Sequence, residues 1–201
     1  MENSRPGLDG EGEGDDVVRR VLAFWFGAPD ADGVLPFRKI WFEKSDAFDA
    51  QIVDQFMPDH ERAASGDLDT LMSGAEGCLA LIILLDQFPR NMFRGDARSY
   101  ATDGKALHVA RHALAQGFDG ALQAHQRLFL YLPHEHSENL ADQVRYTALA
   151  LSLNDPDRMK PAHRHREIIE RFGRFPHRNA VLGRHSTPQE LAFLKEPYSS
   201  F

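Results

Sequence analysis

The sequence predicts an all-α protein, a single domain of about seven to nine helices. Three observations carry that reading. Apolar residues recur at helical spacing almost continuously from Asp15 onward. No stretch alternates apolar and polar residues as a half-buried strand would. Candidate caps and breakers, among them Ser45, Thr102, Thr187, Gly27, Gly117 and Gly173, fall at intervals that suit helices.

Residues 1–14 are rich in glycine and acid and lack apolar periodicity, so a disordered acidic leader is expected, with the domain spanning 15–201. Val17, Val18, Val21, Leu22 and Trp25 then form a helical stripe that stops at Gly27 and Pro29. Ser45 is placed to cap a helix carrying Phe48, Ile52, Val53 and Phe56, which Pro58 should kink or restart. Gly77 to Phe88 is apolar nearly all round, the mark of a central helix surrounded by others. Thr102 is placed to cap the next, whose stripe is Ala106, Leu107, Ala110, Ala113 and Leu114. A short helix from Gln123 should end at Pro133. Another should start at Ser137 or Asn139 and run through Leu140, Val144 and Leu151. Pro161 suits the first turn of a helix with Ala162, His165, Ile169 and Phe172 on one side. Thr187-Pro188-Gln189-Glu190 combines a cap, a first-turn proline and a capping-box glutamate.

The 201 residues are 42% hydrophobic and 26% charged, the balance of an ordinary globular protein. The longest apolar run, Cys78 to Leu85, is too short to cross a bilayer, and the N-terminus has no secretory signal pattern. Cys78 is the only cysteine, which excludes a disulfide framework; it should be an inert core thiol in a protein that resides in the cytoplasm. A net charge of −7 argues against nucleic-acid binding. The charge is uneven, however: residues 163–185 hold six arginines and four histidines against two glutamates. That block either attracts an anion or forms a solvated face paired with acids elsewhere.

Two distant segments share wording: Phe88-Pro89-Arg90-Asn91 and Phe175-Pro176-His177-Arg178-Asn179. Because proline ends helices, both arginines are expected on ordered helix-exit loops, where binding groups concentrate. In the first segment Asp86 needs a partner, which Arg90 or Arg94 would supply. The result is either a structural brace or an arginine oriented towards a ligand. His134-Glu135-His136 has poor spacing for metal ligands, so no metal is expected; Ser137 and Asp142 suit a helix start instead. His165 falls on an apolar stripe and should face the interior or a cleft. Trp25, Phe26, Trp41 and Phe42 read as core aromatics. No dinucleotide, phosphate-loop or nucleophile-elbow motif occurs, and no cofactor is expected.

Taken together, Val21-Leu22-Ala23-Phe24-Trp25-Phe26-Gly27, Leu85-Asp86-Gln87-Phe88-Pro89-Arg90-Asn91, the run from Leu130 to Gln143 and the run from Ile169 to Asn179 resemble a bacterial family known as domain of unknown function 924. Leu182-Gly183-Arg184-His185-Ser186-Thr187-Pro188 fits it too. The resemblance covers nearly everything from residue 16 and implies a helical fold of tetratricopeptide-repeat-like type, though the chain does not align to the ~34-residue repeat period. His134 departs from the apolar or aromatic residue the pattern would place there. The resemblance supplies no activity and no catalytic residue.

The leading expectation is a cytoplasmic binding module whose concave face, lined by Arg90, Asn91, His136, Arg174, Arg178 and Asn179, holds a small anionic molecule or an acidic peptide end. Asp86, Arg94, Arg127, Asp142, His165 and His177 complete the candidate ligand-binding set. The alternatives are an acid–base enzyme pairing His136 or His165 with Asp86 or Asp142, and a protein-interaction scaffold. Neither nucleic acid nor membrane is an expected partner, and pairing into a homodimer is left open.

Overall fold

The computed structural model describes residues 9–200, and all regular structure there is helical. The α-helices are α1 (Asp9–Phe26), α2 (Asp46–Ser65), α3 (Ala75–Ile82), α4 (Phe88–Met92), α5 (Asp103–Ala115), α6 (Ala124–Glu135), α7 (Leu140–Ser152), α8 (Pro156–Phe172) and α9 (Pro188–Phe193). Helix α1 begins at Asp9, so residues 9–14 of the expected leader are helical, while residues 1–8 lie outside the described residues.

The apolar run forms the centre of the fold. Every residue from Cys78 to Leu85 is fully buried, and α3 packs against α1, α5 and α6. Its N-terminal approach is tight: a Cβ at Gly77 would sit 2.0 Å from the Leu71 carbonyl oxygen, so only glycine fits. The α1 stripe meets this centre through Val17, Val21 and Trp25. Ser45 caps α2 by accepting from the Phe48 N–H at 3.3 Å, and Thr187 and Glu190 form the expected capping box on α9. Cys78 is a buried free thiol, pushed up to about 11 by burial. Trp25, Phe26 and Trp41 lie in the core, but Phe42 is half-exposed.

The prolines depart most from expectation. Helix α2 runs through exposed Pro58 without ending, because a carbonyl freed on a solvent face can bond water. Helix α6 passes Pro133 and ends at His136; α8 starts at Pro156, capped by Asp155, with Pro161 inside it. On α7, Leu140, Val144 and Leu151 face outward. Asp142, Gln143, Tyr146 and Ala150 face inward, so this helix brings polar groups to the interior. Gly173, at φ +69°, closes α8 and turns the chain into the second Phe-Pro segment.

Candidate functional site

The first Phe-Pro segment is not a helix-exit loop. Between α3 and α4 the helix widens into a π turn, Ile83–Gln87, and continues through Pro89. The Phe88 N–H bonds the Ile83 carbonyl, five residues back. Pro89 has no N–H to offer Leu84 or Leu85. Side chains take over: His60 Nδ1 donates to the Leu84 carbonyl at 2.9 Å, Thr102 Oγ1 donates to Leu85, and Arg90 Nη1 donates to Asp86. Thr102 therefore occupies the cap position of α5 while its hydroxyl serves the central helix. Single π turns of this kind are frequent at functional sites.

The widened turn carries Asp86, which is wholly buried. His136 Nδ1 lies 2.7 and 3.0 Å from its two oxygens, Arg90 Nη1 lies 3.2 Å away, and Gln87 donates to it. Burial alone would raise the carboxyl; Arg90, His136 and Gln87 outweigh it and hold Asp86 at about 2. Since an ionised carboxylate only accepts, Nδ1 of His136 carries the proton and Nε2 is the basic nitrogen. Burial and the Arg90 charge lower the proton affinity of His136 despite Asp86, which favours the neutral ring. Gln143, fully buried on α7, donates to the carbonyls of Glu135 at 2.6 Å and Ser137 at 2.7 Å. It thereby clamps the turn that carries His136.

Arg90 also holds Asp103, the first residue of α5, in a bidentate pair at 2.9 and 3.0 Å. Arg178, from the second segment, approaches the same carboxylate at 3.5 Å and donates to the His136 carbonyl at 3.0 Å. The two Phe-Pro segments thus meet at Asp103. The Arg178 guanidinium lies 4.7 Å from the Tyr100 ring centre and 4.5 Å from that of Phe175. It is 6% exposed, its Nε has no partner, and burial together with Arg90 lowers its affinity for a proton. His136, Ser137, Arg178, Asp103, Tyr100 and Glu138 contribute to one recess of about 290 Å³.

Other candidates lie elsewhere. Asn91 and Arg94 both donate to Asp49 on α2. Arg174 is bidentate to Glu190 at 2.6 and 2.8 Å, and Asn179 donates to Ser186. Of the six residues expected on one concave face, only His136 and Arg178 line this recess. Asp142 accepts from Arg111 and Ser137, and with His134 it lines a separate recess of about 280 Å³, so the two histidines flanking Glu135 face different spaces. His165 is buried, with Nδ1 2.9 Å from the Pro161 carbonyl and 3.4 Å from buried Glu135. Burial pushes Glu135 up to about 8 and His165 down to about 3. Arg127, on α6, lines neither recess. Among the described residues no three His, Cys, Asp or Glu side chains converge as metal ligands. No described helix is long and apolar enough to cross a membrane.

Sequence reading passed over Tyr100, Asp103 and Glu138 as site residues. Asp103 carried a faint signal, a carboxylate in the first turn of a helix whose cap, Thr102, was visible. Tyr100 carried none.

Fold and recess define an all-helical protein with a buried carboxylate–histidine pair opening on a small cavity. The family described as "Bacterial protein of unknown function (DUF924)" matches residues 21–198, and the chain belongs to that family. Its fold is similar to a solved protein of unknown function from Agrobacterium tumefaciens, ATU0120. The two are 42% identical with a TM-score of 0.79, the likeness covering 93% of this chain and 99% of that one. Comparison with curated proteins gives no match.

Proposed function

We propose that the recess is an acid–base site, with His136 as general base and Asp86 as the carboxylate that orients it. The 2.7 Å contact between Asp86 and Nδ1 of His136 carries this reading. It places the tautomer, the basic nitrogen and a recess-lining ring in one arrangement, the geometry a general base requires. When Nε2 accepts a proton from a bound molecule, the imidazolium forms beside an ionised Asp86, and the ion pair lowers the cost of that charge. Turnover supported by the protein, screened over small esters, amides and carbon acids in D2O, should fall by about 10²-fold or more in His136→Gln. Ring nitrogen NMR at pH 8 should show His136 protonated at Nδ1. A ring protonated at Nε2, or turnover unchanged in His136→Gln, would overturn the assignment.

A further inference from the structure

Five arginines stand on or beside the two Phe-Pro segments, and four are matched to carboxylates at hydrogen-bond distance. Arg90 is paired with Asp103, Arg94 with Asp49, Arg174 with Glu190 and Arg184 with Glu138. Arg178 differs. Its nearest carboxylate is the already bidentate Asp103 at 3.5 Å, and its hydrogen bond is to a backbone carbonyl. Contacts with the Tyr100 and Phe175 rings engage the guanidinium's face rather than its edge, the part that matches a carboxylate in two parallel N–H···O bonds. Arg178 lines the recess, and its Nε, though without a partner, is enclosed by protein.

We infer that the recess takes a small monocarboxylate whose carboxylate lies on the edge of Arg178, an inference that rests on the acid–base reading of the same recess. Asp103 and Glu138 also line it, each held by a bidentate arginine, with Arg90 shared between Asp103 and Asp86. They tolerate a single negative charge and oppose a dianion such as phosphate. Asp103 and Gly104 open α5, where the helix supplies no acceptor for its own N–H groups, and a Cβ on Gly104 would meet nothing within 4 Å. Both residues line the recess. Leu107, Pro133 and Leu182 provide apolar wall for the rest of the molecule. At about 30 Å³ per water-sized group, the recess has room for roughly ten non-hydrogen atoms.

Benzoate and 4-methylpentanoate are suitable probes, with benzamide as the neutral isostere and inorganic phosphate as the competing anion. Calorimetric titration of the full chain should give saturable binding of both carboxylates. Benzamide and phosphate should bind about tenfold or more weakly, the worth of a charge-assisted pair. Arg178→Met should cost the same factor. Arg178→Lys should recover part of it, and thermal melting reports whether each variant is folded. Benzoate should also shift the Arg178 Nε resonance in the wild type, a readout that needs no substitution. Equal binding of benzoate and benzamide, stronger binding of phosphate, or no saturable binding would overturn the monocarboxylate. If benzoate binds through Arg178 while the His136 ring is protonated at Nε2, the acid–base reading fails and the carboxylate site stands.

Discussion

The two Phe-Pro segments use the same residues for different physical ends. In the first, Pro89 lies inside a continuing helix, and Arg90 is locked between Asp86 and Asp103. In the second, Pro176 opens a short 3₁₀ turn, Pro176–Arg178, and Arg178 rests against two rings. The difference lies in the neighbours. A guanidinium surrounded by buried carboxylates is a brace, whereas one stacked on aromatic faces is held in orientation without a bidentate carboxylate partner.

The largest test of that contrast is a pair of substitutions. Arg90→Met strands two carboxylates, one wholly buried, and should cost roughly 3–5 kcal/mol in urea unfolding. Arg178→Met strands no bidentate partner and should cost about 1 kcal/mol or less. Equal losses would erase the distinction.

A smaller effect comes from Glu135, beside the meeting point. Its folded pKa is raised to about 8, so its contribution to stability is complete below the unfolded carboxyl range and is lost as pH rises through 8. Glu135→Gln should remove that alkaline loss, on the order of 3 kcal/mol between pH 5 and 9. Identical pH–stability curves for the variant and the wild type would refute it.

Acid should separate the two segments by about 2 kcal/mol per histidine at pH 5. Burial, reinforced by Arg178 for His177, depresses His177 to about 4 and His165 to about 3. Their stabilisation is present above the unfolded histidine value and is lost as pH falls from 6.5 through 4. Asp86, held at about 2, gives way only below the ordinary carboxyl range. Amide exchange at pH 5 should therefore quicken around residues 173–179 before it quickens around 83–90; the reverse order would contradict the contrast.

Much of this was legible in the sequence. The central helix showed as an unbroken apolar run, the α9 cap as a complete motif, and the twin segments as repeated wording. Their meeting was legible too, but its character was not. Proline was read as a helix breaker because local chemistry makes it one, while His60 and Thr102, 29 residues before Pro89 and 13 after it, supply the donors that let the helix continue. Leu140, Val144 and Leu151 mark the course of α7 in the sequence but face outward, and its inner face is set by Gln143 and Asp142 bonding the preceding turn. In the first case donors distant in sequence, and in the second polar bonds to the preceding turn, overrode the local pattern.

The π turn can also be read as a genetic event. A turn that reaches five residues back instead of four holds one residue more than an α-helix needs. Deleting a single codon between 83 and 87 would leave an uninterrupted helix and rotate everything after it by about 100°. Arg90 would leave Asp103, Asn91 would leave Asp49, and the carboxylate at 86 would lose its place opposite His136. The recess thus depends on the one residue that the π turn holds beyond an α-helix, and chains without that residue should lack the buried pair while retaining the helical shell.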